Sequence, residues 1–256
     1  MSSTEAARDL ALAVDPVRFA EAVGMTPDPW QARVLRSTAK RLLLNCSRQS
    51  GKSTTTAVVG LHRAIYYPNS TILLVSPSAR QSSELFRKVT DALDVLPGAP
   101  DRVEDNKLSL ELTNGSRVVS LPSSEDTIRG YSGVDLIIED EAAFVDDAVN
   151  AAIRPMLAVS GGRLIVMSTP YGKRGHFFDA WTQPGDGWEK IQIRATDCPR
   201  ITAAFLEGEK HDLGEWRFRQ EYECEFVETV DAVFTHEQIN TALSDDVAPM
   251  RFGEAA

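Results

Sequence analysis

The feature that most constrains the fold is the stretch NCSRQSGKSTT at residues 45–55, which joins an apolar run to a helical one. RLLLNCS (41–47) is typical of a buried strand, and residues 52–67 have the pattern of a helix. Between them, Gly51, Lys52 and Ser53 match the end of the loop G-x-x-x-x-G-K-[ST]. Such a loop directs backbone N–H groups at phosphate oxygens, with the lysine as a cation and the serine as a hydroxyl for Mg²⁺. We therefore predict a nucleotide-phosphate site.

The loop departs from the usual pattern where the first glycine is expected, because that position holds Cys46. This position lies at the end of the strand, furthest from the phosphates, so a small side chain is tolerable there. Arg48, inside the loop, adds a guanidinium that we expect either to reach the γ-phosphate in cis or to form a surface salt bridge.

Short apolar runs alternate with helical stretches along most of the chain. Helices are predicted over 3–14, 16–23, 29–40, 52–67, the stretch ending near 96, and 147–159. Strands are predicted over 41–47, 71–78, 134–141, 163–170 and 188–197, with a hairpin over 107–121 around Asn114-Gly115. This alternation predicts an α/β fold with a mostly parallel central sheet and helices on both faces. We divide the chain into N-terminal helices (1–40), a core (41–200), a C-terminal helical subdomain (201–245) and a linker tail (246–256).

The net charge of −10 is concentrated at the C-terminal end. Residues 201–256 contain 13 acidic and 4 basic side chains, whereas residues 1–200 contain 24 and 23. The balance argues mildly against a static grip on nucleic acid, but it leaves room for a local basic patch. The three widely spaced cysteines indicate neither a zinc site nor a disulfide framework, and no apolar run is long enough to span a membrane.

Acidic and hydroxyl side chains end two of the predicted strands. In LIIEDEAA (136–143), Asp140 is placed to hold Mg²⁺ and Glu141 to activate the attacking water, with Glu139 as a rival for the metal. In MSTP (167–170), Ser168 and Thr169 are candidates to sense the γ-phosphate, although Ser-Thr-Pro is also ordinary turn chemistry.

Two further features lie outside these strand ends. In DPWQ (28–31), Gln31 is placed to bind an adenine edge, and Trp30 packs against either the base or the core. Arg129, in TIRGYSG, lies between glycines on a predicted loop, where it is a candidate finger for a neighbouring subunit's nucleotide or a surface salt bridge.

Together, CSRQSGKS, LIIEDEAAF and MSTP, in this order, resemble the ATPase domain of the large terminase subunit, the DNA-packaging motor of tailed bacteriophages. The resemblance covers roughly residues 25–230 and implies a P-loop NTPase fold of the RecA-like/ASCE type with ATP and Mg²⁺ as cofactors. It implies metal binding by Ser53 and Asp140 and catalytic roles for Lys52, Glu141, Arg48 and Arg129. The nucleotide-binding residues that we expect are Trp30, Gln31, Gln49, Ser50, Gly51, Lys52, Ser53, Thr54 and Thr169.

The resemblance also implies partners: double-stranded DNA, a portal protein, a small terminase subunit and further copies of the chain in a ring, which the family suggests is a pentamer. It places the protein in the host cytoplasm, at the procapsid portal. Family members normally continue into a ribonuclease-H-like nuclease, and this sequence ends first, so we expect no DNA cleavage. A helicase-like ATPase and a scaffold that binds ATP without hydrolysis are the alternatives. A helicase-like ATPase needs a second motor domain, and a scaffold that only binds ATP has no use for Glu141 as a base.

Overall fold

The computed structural model describes residues 2–123, 128, 130–185, 187–228 and 241–242. Eight strands form one sheet in the order β3-β4-β5-β2-β6-β7-β1-β8. The strands are β1 (Arg41–Cys46), β2 (Thr71–Ser76), β3 (Arg102–Asp105), β4 (Ser109–Leu112), β5 (Arg117–Pro122), β6 (Leu136–Asp140), β7 (Arg163–Ser168) and β8 (Glu189–Ile193). From β5 to β8 every pairing is parallel, whereas β4 runs antiparallel to both of its neighbours. The predicted α/β fold class is confirmed.

Nine helices are described around this sheet. They are α1 (Ser3–Val14), α2 (Pro16–Ala22), α3 (Pro29–Arg36), α4 (Lys52–Tyr66), α5 (Ala79–Val95), α6 (Asp147–Ile153), α7 (Gly175–Thr182), α8 (Ala203–Leu213) and α9 (Glu215–Tyr222). The starts of the first two follow from side-chain caps: Ser2 accepts from the Glu5 amide, and Asp15 accepts from the Val17 amide. None of the described helices is both long and apolar enough to cross a membrane.

The core has two parts because successive residues of each buried strand face opposite sides of the sheet. In β1, Leu42 and Leu44 face the cluster that also holds residues of α1 to α5. Leu43, between them, faces the cluster under α6 and α7. Burial on both faces explains why these strands read as continuous apolar runs in the sequence. A third, small cluster of Ala195, Phe218 and Tyr222 lies under α8 and α9.

The structure differs from the predicted elements in five places. Strand β8 ends at Ile193 rather than at residue 197, because Ala195–Asp197 form a 3₁₀ turn. Helix α3 ends at Arg36 rather than near residue 40, and the helix predicted over 147–159 becomes a 3₁₀ turn from Arg154, before Pro155. Strand β3 and helix α7 were not predicted. The hairpin prediction is confirmed: β4 and β5 are joined through Gly115, whose φ of +80° is accessible to glycine.

The strand order brings the predicted site residues to one edge of the sheet. Strand β7 lies between β1 and β6, so the phosphate loop after β1 and the acids at the end of β6 flank the end of β7. All three strands are parallel, and their carboxyl ends therefore meet on the same side, where open α/β sheets bind ligands.

Candidate nucleotide-hydrolysis site

The loop between β1 and α4 has the backbone of an anion-binding turn. Gln49 and Gly51 have φ values of +58° and +97°, and Gly51 immediately precedes the first residue of α4, Lys52. A helix N-terminus of this kind offers free N–H groups and the positive end of the helix dipole. An ideal Cβ on Gly51 would lie 3.0 Å from Nε2 of Gln31, so both conformation and space favour a glycine here.

Cys46 takes the place of the usual first glycine without disturbing this turn. It is the last residue of β1, is fully buried, and pairs with Ile193 of β8 in regular parallel register. Burial raises the pKa of its thiol to about 12, so the side chain is neutral and packs as a small apolar group.

The end of β6 meets the start of α4 through two side-chain contacts. Ser53 Oγ donates to Asp140 Oδ2 at 2.9 Å, and Lys52 Nζ lies 2.8 Å from Glu141 Oε1. Burial raises the pKa of Asp140, against the opposing effect of Lys52. Burial alone would lower the pKa of Lys52, but Glu141 and Asp140 outweigh it and raise that pKa. The lysine is therefore a buried cation held by two carboxyl groups.

Glu139 is not part of this arrangement. It lies on the opposite face of β6, fully buried, where its Oε1 lies 2.9 Å from Nε2 of His176 and its Oε2 accepts from Asn150 Nδ2 at 3.2 Å. Of the two acids that the sequence left as rivals for the metal, only Asp140 contacts the hydroxyl of Ser53.

The turn after β6 is strained and is linked to the end of β7. Glu141 has φ +53° and ψ +42°, a left-handed conformation that is uncommon for a residue with a side chain. Two residues later, the Ala143 amide donates to Ser168 Oγ at 3.2 Å, and the same hydroxyl donates to the Thr169 carbonyl at 2.8 Å. Ser168 and Thr169, the candidates to sense the γ-phosphate, are both buried beside this turn.

A cleft of about 390 Å³ opens beside these groups, and Arg48, Glu141, Thr169 and Glu221 are among the residues that line it. Arg48 is exposed over 67% of its side chain and forms a surface salt bridge, the second of the two placements that the sequence left open: its Nε is 3.2 Å from Glu221 Oε2 of α9. Its backbone amide also donates to the Glu221 carbonyl at 2.9 Å. Arg129 lies outside the described residues.

The proposed adenine-binding pair occupies two different environments. Trp30 is 8% exposed and packs in the first core cluster, the second of the two placements that the sequence left open. Gln31 is buried beside Gly51, and its Oε1 accepts from the Asp28 amide at 2.8 Å. Of the remaining loop residues, Ser50 is buried, while Thr54 is exposed and accepts from Lys88 Nζ at 3.3 Å.

Sequence reasoning missed Arg200, which connects the turn before α3 to the phosphate loop. Its Nη1 donates to Asp28 Oδ1 at 2.9 Å, and its Nη2 donates to the Ser50 carbonyl at 3.2 Å. No local pattern around CPR (198–200) marks this residue, because its partners lie 172 and 150 residues earlier in the chain.

The oxygen donors at the end of β6 fit a magnesium ion held mainly by substrate. Ser53 Oγ, on α4, and Asp140 Oδ2, at the end of β6, lie 2.9 Å apart in a partly buried position. Mg²⁺ in nucleotide sites takes one or two protein oxygens, with phosphates and water completing its shell. No group of three or more His, Cys, Asp or Glu is placed to hold a metal in the described part of the chain.

Comparison with known families decides which kind of protein carries this site. The family model described as "Terminase large subunit, T4likevirus-type, N-terminal" matches residues 43–241, most of the chain. The chain belongs to this family. The match spans the phosphate loop, the acids of β6 and the hydroxyls that follow β7.

Relatives agree with this assignment in sequence and in fold. The large terminase subunit of Thermus virus P23-45 is 27% identical over 255 residues, covering 85% of this chain and 52% of that protein. The large terminase ATPase domain of Thermus phage P74-26 superimposes with a TM-score of 0.71 at 26% identity, covering 82% of this chain and 98% of that domain. The large terminase of a thermophilic bacteriophage, solved in complex with ADP, shares the fold with a TM-score of 0.64 at 13% identity, covering 78% of this chain and 53% of that protein.

The chain spans about half the length of the curated relatives it matches, 52% for the Thermus virus P23-45 protein and 48% for that of Escherichia phage T5. The shared part is the ATPase part, because the isolated ATPase domain of phage P74-26 is covered almost completely.

Proposed function

We propose that this chain hydrolyses ATP with Mg²⁺ and uses the energy to move double-stranded viral DNA into a procapsid, as one subunit of a ring. The observation that supports this most directly is the pair of contacts between α4 and β6, Lys52 with Glu141 and Ser53 with Asp140. A base beside a phosphate-binding lysine is needed for hydrolysis and is of no use for binding alone.

Each group has a distinct part in this proposal. The N–H groups around Gly51 and the Lys52 ammonium bind the β- and γ-phosphates, while Ser53 and Asp140 hold Mg²⁺. When bound, the ion neutralises charge that develops on the phosphate oxygens. Glu141 orients a water for in-line attack and accepts its proton.

The ion pair between Lys52 and Glu141 implies an exchange when ATP binds. Both side chains are largely buried, with 10% and 24% of their side-chain surfaces exposed, so each needs a partner. We expect the ammonium to leave Glu141 for the phosphates, which frees the carboxylate to act on water. Until ATP binds, Glu141 is therefore paired with Lys52 and does not act on water.

Nucleotide recognition rests on four further residues. Gln31, beside Gly51, is the proposed contact for the base, and Arg200 holds the Asp28 turn against the Ser50 carbonyl. Arg48 is proposed to reach the γ-phosphate after leaving Glu221. For Arg129 we retain the proposal of a finger acting on a neighbouring subunit. The ADP complex of the large terminase from a thermophilic bacteriophage supports the choice of an adenine nucleotide.

Portal protein, small terminase subunit and DNA are the proposed partners, and the host cytoplasm is the proposed location, all by membership of the terminase family. Ring assembly is proposed for the same reason. A helicase-like ATPase with the same loop and acids remains the alternative function.

The deciding experiment measures ATPase rate per subunit against protein concentration, with double-stranded or single-stranded DNA added. A ring that completes its site in trans gains specific activity as it assembles and responds to duplex DNA. A rate that is strictly proportional to concentration and stimulated only by single strands would favour the helicase-like alternative. No turnover under any condition would refute the proposal.

A further inference from the structure

A fully buried carboxylate lies directly behind the proposed catalytic acids. Strand β6 alternates its side chains, so Glu139 points to the face opposite Asp140, on the side of the second core cluster, which holds Ile137 and Phe177. It has no exposed surface. A carboxylate in such apolar surroundings is costly unless charged or hydrogen-bonding partners accompany it.

Glu139 contacts two side chains from the helices on that face. Asn150 of α6 donates to one carboxylate oxygen at 3.2 Å, and Nε2 of His176, in the first turn of α7, lies 2.9 Å from the other. The second ring nitrogen of His176 lies 3.1 Å from Asp147 Oδ1, which also accepts from the His176 amide at 2.7 Å. Burial alone would lower the pKa of His176, but Glu139 and Asp147 outweigh it and raise that pKa. The imidazole thus bridges two carboxylates.

This bridge connects the two segments that carry the proposed chemistry. Glu139 is followed directly by Asp140 and Glu141, and α7 begins shortly after the Ser168-Thr169 pair. The left-handed backbone of Glu141 persists only if its flanks are fixed. On the C-terminal side, the hydrogen bond from Ala143 to Ser168 fixes it. On the N-terminal side, the contacts of Glu139 with Asn150 and His176 fix the backbone.

A purely structural role is a poor explanation for this arrangement. Well-packed apolar side chains of similar volume usually stabilise a core at least as well as a buried ion pair does. We propose that His176 is a positioning residue for hydrolysis: by holding the Glu139 carboxylate, it fixes the end of β6 from which Asp140 and Glu141 project. This inference rests on the proposed ATPase activity. Loss of the bridge should slow the chemical step far more than it weakens ATP binding, because most groups that face the phosphates belong to the loop before α4 and not to β6.

The first test separates stability from positioning. His176→Ala removes one of the two partners of the buried Glu139 carboxyl group and should lower both Tm and kcat. Adding Glu139→Leu removes the carboxyl group that has lost its partner, so the double variant should regain part of the lost Tm while kcat stays at least about tenfold low and KM for ATP stays within about twofold. His62→Gln, at a buried histidine on α4 that contacts Phe19 and the Leu12 carbonyl, is the matched control: Tm should fall and kcat should not. Recovery of kcat together with Tm in the double variant would overturn the inference.

The second test does not depend on the fold tolerating an alanine. In His176→Gln the amide nitrogen takes the place of Nε2 and stays within reach of the Glu139 carboxyl group, whereas in His176→Asn it takes the place of Nδ1 and stays within reach of Asp147 only. Both variants lose the same charge, and only the first should retain substantial kcat. Equal kcat values, or a higher value for the asparagine variant, would refute the role of the Glu139 contact. If wild type itself fails to hydrolyse ATP, the proposed function fails instead.

Discussion

Replacing Gly51 by alanine tests the phosphate loop through both conformation and space. Gly51 has a φ of +97°, and a left-handed backbone costs an alanine about 1–2 kcal/mol. The new methyl carbon would also lie 3.0 Å from Gln31 Nε2 and 3.5 Å from Arg200 Nη2. Arg200 is half-exposed and can move, but Gln31 is buried and bonded to the Asp28 amide. We therefore expect the loop to give by a few tenths of an ångström, which moves its N–H groups relative to the phosphate position.

We expect Tm to fall by about 3–6 °C, from 1–2 kcal/mol in a domain of this size. The Kd for ATP should rise at least about tenfold, the equivalent of ~1.4 kcal/mol. Differential scanning fluorimetry and titration with a fluorescent ATP analogue measure the two effects separately.

Two other glycines supply matched controls. Gly24 has a φ of +82° with no atom within 4 Å of an ideal Cβ, so Gly24→Ala reports the conformational cost alone. Gly208, inside α8, has open space and ordinary helical geometry, so Gly208→Ala should stabilise the protein by up to about 1 kcal/mol. Neither should alter ATP binding. A Gly51→Ala variant that binds ATP as wild type does would refute the assignment of this loop.

Three other substitutions probe the remaining groups. Arg200→Ala should raise KM for ATP about threefold with little change in kcat, as measured by steady-state kinetics. It should lower the free energy of unfolding by only ~0.5–1 kcal/mol, as measured with urea, because the side chain is 52% exposed. Asp140→Asn should raise the Mg²⁺ concentration for half-maximal turnover by about tenfold or more, and an unchanged Mg²⁺ titration would count against its metal role. His62 has a pKa lowered by burial, so the unfolded chain takes up the proton first and stability falls as pH drops below about 6.5. His62→Gln should flatten the dependence of unfolding free energy between about pH 7 and 5, as measured with urea.

Most of the sheet could be predicted because its central strands are buried on both faces. β1, β2, β6 and β7 are short continuous apolar runs bounded by turns, and that pattern has few other interpretations. Helix α7 was missed because it starts at a glycine with a φ of +80° and lacks a side-chain hydrogen bond at its cap, so its first turn has no sequence signal. Strand β3 was missed because its residues are mostly exposed and charged.

The site was predictable where its residues lie next to strand ends in the sequence. The sequence could not decide between Glu139 and Asp140 as the metal ligand. Alternation along β6 places the two side chains on opposite faces of the strand, but it does not indicate which face α4 covers. Arg200 and His176 act through contacts between segments far apart in the chain, and a single sequence does not indicate which distant residues are in contact. The contact of Arg48 with Glu221 likewise depends on where α9 packs.

The central claim is that Glu141 activates water at a site where Lys52 and Ser53 bind the phosphates. Glu141→Gln keeps the shape of the side chain and removes its charge, and the measurement is ATP binding and turnover on the same preparation. We predict that Kd for ATP is unchanged or lower, because Lys52 no longer has to leave an ion pair, and that turnover falls by about 10²–10⁴-fold. Turnover close to that of wild type, with Kd unchanged, would contradict the account.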